Sequence, residues 1–511
     1  MTTTSSIKPL IGLVLCALIT VEPAFAQGKN GSNALTIYST ASPGAIQPEL
    51  YRPGTYHQTV PGYAVVRHER EVALDKSRTT VKFTDVAALI DPTTVSFESL
   101  MDPAGTRVLE QNFQFDLINN QKLLQKYIDS EITVEQTRGD KVESFTGTLM
   151  SIDGGLVLKQ KDGSVHILPH NTGVKLPQLP GGLITRPTLV WDIVANKTGL
   201  HRSRVSYQTS GLTWWTDYNV TFAEGKDANT CSLDVGAWVS ILNQSGAGYP
   251  DAKLKLVAGD VHRAPVAGQR FARSRAMDYP AAKAAEATGF VEKSFFEYHL
   301  YTLERPTTLP DRSTKQIELF PAAQGVPCQK TLVYYGLAPG YWGHFSSPMT
   351  DRNYGLETNK KVDVYLGFKN AKEHHMGMPL PSGRIRVSKL DPADSTLEFI
   401  GEDTLDHTPK NEKVLIKLGS AFDVVGERKQ VDFRVDTANK TMTETIEVTL
   451  RNHKTEQVTV IVKENLYRWL NWKITAKNHE YEKQDARTIH FPIKLAKDGE
   501  ATVRYTVQYS W

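Results

Sequence analysis

Along most of the chain, apolar and polar residues alternate in short runs punctuated by Asp, Gly, Pro and Asn. This is the period-two pattern of strands with one buried face, closed by turns. Between residues 35 and 110 it gives strands at Ala64–Leu74, Thr80–Phe83, Thr94–Phe97 and Arg107–Phe115, with turns at Asp91-Pro92 and Asp102–Gly105. The rhythm breaks once. In residues 119–129, Leu123, Leu124, Tyr127 and Ile128 fall at helical spacing behind Asn119 or Asn120, either of which can cap, so a short helix is predicted. Four short strands then follow, at Glu131–Glu135, Phe145–Ile152, Leu156–Lys159 and Val165–Leu168, joined by Asp/Gly turns. They predict a meander closing into a small SH3-like or Sm-like barrel. Arg138-Gly139-Asp140 is an adhesion tripeptide, but Gly and Asp are also what a hairpin turn demands, and the turn is the expected role.

Pro177–Gly182 reads as part of a linker, and beyond it aromatics concentrate at Trp191, Trp214, Trp215, Tyr218 and Trp238. Residues 263–293 are rich in Ala, Arg and Lys and poor in bulky apolar side chains, so a flexible insertion is expected there. Strands resume at Ser294–Leu303. The clearest hairpin joins Glu444–Leu450 to Gln457–Val462. The terminal segment Ala501–Trp511 alternates strictly, with Val503, Tyr505, Val507, Tyr509 and Trp511 on one face. The expected fold is mainly β and multi-domain. Residues 27–118 form an N-terminal β region, 119–176 the helix and small barrel, and 177–190 the linker. Residues 191–360 form a β-rich domain carrying the insertion, and 361–511 one or two immunoglobulin-like β-sandwich modules.

The N-terminus changes the picture by adding a location. Lys8, the apolar run Leu10–Ile19 and Ala24-Phe25-Ala26 have the layout of a signal peptide over residues 1–26, cleaved between Ala26 and Gln27. The run is shorter than the roughly 20 residues a bilayer span needs. A periplasmic or secreted protein is therefore expected, not an integral helical membrane protein. Cys16 lies inside the apolar run and leaves with it. The mature chain keeps Cys231 and Cys328, which an oxidising compartment would either pair or leave as two buried thiols. Hydrophobic residues make up 40% and charged residues 23% of the chain, as in ordinary globular proteins, which argues against global disorder. Removing the leader takes away Lys8 and Glu22, so the net charge stays at +3, and no basic stripe suggests nucleic acid.

Several separated motifs occur in order. They are Trp214–Tyr218, Asn243–Asp260, Glu297–Leu303, Arg451–Lys454, Tyr467–Trp472 and the terminal strand to Trp511. Over about residues 190–511 the chain resembles the bacterial "domain of unknown function 4139" family, exported proteins distantly related to mucoidy-inhibitor-like proteins. The resemblance implies an envelope location and a β-rich fold, and it implies no reaction. The coiled-coil arm of the mucoidy-inhibitor type has no counterpart here, since no heptad run occurs.

Candidate chemistry is sparse. His374, His375, Met376 and Met378 are the one cluster with metal-ligand character, of a kind suited to copper. Adjacent side chains of an extended segment point apart, so a polar loop before Pro379 explains it as well, and no cofactor is expected. Tyr467, Trp469 and Trp472 could stack on a sugar, meet a protein partner or fill a sandwich core. The Gly-x-Ser-x-Gly elbow, the His-Glu-x-x-His motif and phosphate-binding loops are all missing. The leading expectation is a non-catalytic module binding an envelope protein or glycan. The rivals are a polysaccharide-active hydrolase or transferase without a recognisable motif, and an outer-membrane β-barrel ending in the Trp511 strand.

Overall fold

The computed structural model describes residues 31–38, 60–138, 141–178, 180, 183–259, 261–262, 290–337, 345–356 and 358–511. The leader, the tip of the Arg138-Gly139-Asp140 turn, the linker glycines and the insertion up to residue 289 lie outside the described residues. Among them the chain is mainly β, in several antiparallel and mixed sheets, with one short α-helix and one 3-10 turn.

One sheet gathers strands far apart in sequence. Its order is Phe290–Phe295, Tyr298–Leu303, Tyr249–Ala258, Ser32–Tyr38, Tyr63–Leu74, Gly199–Thr209 and Ile90–Ser99. Ser32–Tyr38 sits between Tyr249–Ala258, to which it runs parallel, and the antiparallel Tyr63–Leu74. Leu35 and Ile37 point from it into the core. A three-stranded sheet of Ser77–Thr84, Thr188–Ala195 and Thr106–Gln114 contributes Trp191, which is fully buried. Its ring packs 5.4 Å from Phe83 and 5.3 Å from Phe97.

The predicted helix is present at Asn120–Lys126, and the Asn119 side chain accepts from the Lys122 N–H. The sheet after it has its own small core of Tyr127, Ile132, Val134, Leu149, Leu156, Leu158 and Leu168. It does not close into the expected barrel. Its order is Gly173–Lys175, Glu131–Arg138, Lys141–Ser151, Leu156–Lys159, Val165–Leu168, with the two outer strands unpaired to each other. The reason lies in the connection between them. The Thr172 N–H and hydroxyl both bond the Glu135 carbonyl and set Gly173–Lys175 beside Glu131–Arg138, while Val165–Leu168 pairs only with Leu156–Lys159 and stays an open edge.

The largest sheet runs Leu397–Leu405, Gly383–Leu390, Leu212–Glu224, Thr230–Asn243, Ser313–Tyr335, Lys361–Lys369, Lys413–Asp436, Thr441–Asn452, Glu500–Ser510, Asn471–Lys477. Two of its strands thread two cores. Ile317, Leu319, Ala323 and Val326 of Ser313–Tyr335 join the first core, while Leu332 and Tyr334 join the second. Lys413–Asp436 does the same, with Val414 and Ile416 in the first and Val424 and Phe433 in the second. The alternation of the terminal strand is satisfied inward, since Val503, Tyr505, Val507 and Tyr509 all face the second core. None of the described sheets closes into a barrel. No helix among the described residues is long and apolar enough to cross a membrane.

Candidate functional site

Cys231 and Cys328 stand directly opposite each other on neighbouring strands, with Cα atoms 4.9 Å apart, and are joined by a disulfide. Such a bond persists in oxidising compartments outside the cytoplasm. His374 ends a single 3-10 turn, Lys372–His374, and His375 follows in the left-handed region at φ 58°. Fully buried Asn370 holds this loop: its Nδ2 donates to the Met378 and Pro409 carbonyls, and its Oδ1 accepts from the Gly377 N–H. Met376 and Met378 pack against the first core, whereas His375 is exposed. Among the described residues, no group of three or more His, Cys, Asp or Glu is placed to hold a metal ion.

The three aromatics of the Tyr467 segment divide. Tyr467 is buried and donates its hydroxyl to the Tyr354 carbonyl. Trp469 and Trp472 pack at the margin of the second core. Trp472 also donates its indole N–H to the Ala486 carbonyl, with Lys483 Nζ above the ring.

Among the described residues, three buried polar constellations with catalytic character arise from residues remote in sequence. In the first, Ser99 Oγ lies 2.9 Å from His201 Nδ1, and His201 Nε2 lies 3.0 Å from the Lys197 carbonyl. A carbonyl can only accept, so Nε2 donates to it, and in the neutral ring Nδ1 is then the acceptor for the Ser99 hydroxyl. This is a nucleophile–base geometry. Yet Ser99 is 1% and His201 2% exposed, and Ser99 Oγ also accepts from the Asp102 N–H, stitching the turn.

In the second, buried His68 is held between Asn33 Oδ1 at 2.8 Å and the Tyr207 hydroxyl at 3.0 Å. The chain of bonds continues through Tyr249 to Ser245 Oγ at 3.0 Å and on to Asn243 Oδ1 at 2.8 Å. Burial, reinforced by Arg70 and opposed by Asp85, pushes the His68 imidazole down to about 3, so it is neutral. Burial likewise pushes the Tyr207 phenol well above its ordinary value.

In the third, Arg428 pairs with Glu464 at 3.1 Å, and the Tyr505 hydroxyl donates to Glu464 at 2.5 Å. Burial alone would lower the Arg428 guanidinium, but Glu464, with Tyr505 and Glu444 behind it, holds it well above its ordinary value. Nearby, Arg468 Nε lies 3.1 Å from Glu444 Oε1, an ion pair without hydrogen-bond alignment. The Arg468 guanidinium donates instead to the Met349, Asp351 and Tyr354 carbonyls and to Gln430 Oε1. It thus pins the segment 349–354 against the second core. All four charged side chains of this group are buried.

A fourth polar group is different, because it lies on the outward face of the largest sheet. Arg386 donates to Asp217 Oδ1 at 3.1 Å. Asp217 Oδ2 accepts from Trp215 Nε1 at 2.8 Å and from Ser240 Oγ at 3.4 Å. Gln316 Nε2 donates to Ser240 Oγ at 3.1 Å. The row crosses four hydrogen-bonded strands, and Trp238 stands directly opposite Asp217. Trp238 and Trp215 were visible in the sequence as aromatics. Their placement follows from strand parity, because Trp214 and Tyr218 of the same strand point into the core while Trp215 and Asp217 point outward.

Comparison of the chain with protein-family models, with curated proteins and with solved structures finds no match.

Proposed function

We propose that this is an exported cell-envelope protein of the "domain of unknown function 4139" type, built from immunoglobulin-like sandwich modules. In this reading it serves as a non-catalytic binding or structural module for an envelope protein or polysaccharide. One observation carries the reading. Among the described residues, the three buried constellations with acid–base or nucleophilic character are used internally. Ser99–His201 closes a turn, His68 and its tyrosines bridge strands, and Arg428–Glu464 and Arg468–Glu444 lock the second core. A catalytic group must reach its substrate within hydrogen-bond distance, and these are sealed by packing. The disulfide supports a location in an oxidising compartment, in line with the leader-like sequence.

The test is a substrate panel of glycans and esters run beside co-sedimentation with isolated envelope material, using the mature, disulfide-bonded chain. Saturable co-sedimentation without turnover is expected. Turnover that disappears in Ser99→Ala or Glu464→Gln would make the protein an enzyme and overturn the proposal.

A further inference from the structure

We infer that the outward face of the largest sheet, centred on Trp238, binds a neutral glycan chain. The inference rests on the binding-module reading above and names its surface and ligand class. Trp238 is 40% exposed on Thr230–Asn243, a strand flanked on both sides by Leu212–Glu224 and Ser313–Tyr335. It is therefore neither on a loop nor on a sheet edge. A tryptophan buries a large apolar surface when it is turned inward. Here it is spent on the solvent side of an interior strand, where any small polar residue would satisfy the sheet. Its backbone is fixed by two ladders and its side chain has only two torsions, so it offers a rigid flat surface at low entropic cost.

The groups around that indole match sugar hydroxyls, which both donate and accept. Trp238 pairs with Asp217 on one side and Glu318 on the other, and Gln316 lies two residues along from Glu318. Asp217 is oriented in advance by Trp215, Ser240 and Arg386, so it need not be ordered on binding. From Leu397–Leu405 to Ser313–Tyr335, five adjacent strands at about 4.8 Å spacing make a strip roughly 20 Å wide, long enough for several sugar units.

The charge on this face selects for a neutral ligand. Arg386 is held between Asp217 at 3.1 Å and Glu402 at 3.5 Å, and Arg384 lies 4.0 Å from the same Glu402. With Glu318 alongside, the carboxylates outnumber the guanidinium groups. An acidic polymer, which would need uncommitted cations, is disfavoured.

The experiment titrates the mature, disulfide-bonded chain with six-unit oligomers of β-1,4-linked glucose, β-1,4-linked N-acetylglucosamine and α-1,4-linked glucose. Polygalacturonate is the acidic comparison, and tryptophan fluorescence is the readout. At least one neutral oligomer should bind with little dependence on salt. Trp238→Ala should weaken that binding by about tenfold or more, as loss of a central aromatic anchor does. Glu318→Ala should weaken it less, and Phe422→Ser, at a fully solvated side chain elsewhere, should leave it unchanged. Circular dichroism checks that each variant keeps its fold. Three results would overturn the inference: no neutral oligomer binds, neutral binding survives both Trp238→Ala and Glu318→Ala, or only polygalacturonate binds and salt abolishes it. If no glycan binds but an envelope protein co-sediments, the glycan inference falls and the binding-module proposal stands.

Discussion

His68 shows how a single residue couples this fold to pH. Its imidazole is sealed between Asn33 and Tyr207, and burial lowers its titration from 6.5 to about 3. The folded protein therefore holds it neutral, while the unfolded chain takes up a proton below pH 6.5. The stabilisation is complete above that value and falls by about 1.4 kcal/mol per pH unit as the pH drops towards 3. Between pH 6.5 and 5, urea unfolding of the wild type should lose about 2 kcal/mol that His68→Gln does not lose. An identical pH dependence in the two proteins would show that His68 is not buried as a neutral ring. The cysteines act through the unfolded chain instead. The disulfide closes a loop of 97 residues, so replacing Cys231 and Cys328 by Ser should lower the unfolding free energy by about 2–5 kcal/mol, measured in denaturant. The sequence left pairing open, because spacing says nothing about register. What decides it is that Cys231 and Cys328 fall opposite each other on adjacent strands. Likewise His374 and His375 were conspicuous in sequence, but nothing local could reveal Asn370 organising their loop.

At the scale of elements, the second core carries two ion pairs where an apolar core would serve. Removing one partner of a buried pair strands the other charge, so Glu464→Gln should destabilise the protein by about 3–5 kcal/mol. Arg428→Met together with Glu464→Leu should cost less than the sum of the two single changes, because no charge is left unpaired. Additive costs in a double-mutant cycle would mean that the pair is not coupled. Strands with strict alternation were legible in advance. The terminal strand, Glu500–Ser510, is the plainest, since its apolar face is the buried one. The helix was legible too, because Asn119 announces its cap. The long strand Ser313–Tyr335 was not, since Pro321, Gly325 and Pro327 interrupt its pattern and read as turn signals. The small barrel was expected from turn chemistry, but closure needs Val165–Leu168 to pair across to Gly173–Lys175, and that is a tertiary matter.

Across the whole molecule, the sheets join segments that no local pattern could associate. Ser32–Tyr38 runs parallel to Tyr249–Ala258, more than two hundred residues on, and two long strands tie both cores together. This connectivity separates two kinds of polar group. Some are enclosed and serve the fold, as with His68, His201, Arg428 and Arg468. On the face of Trp238, by contrast, Ser240 is buried but Trp238, Gln316 and Glu318 are exposed. Under the proposed function the protein binds an envelope component and does not turn it over. Calorimetric titration of the disulfide-bonded chain with isolated envelope polysaccharide measures both at once. Heat pulses that return to the baseline, shrink to saturation and saturate only at much higher polysaccharide concentration in Trp238→Ala are expected. A sustained offset in thermal power after each injection, the mark of continuing turnover, would contradict the proposed function.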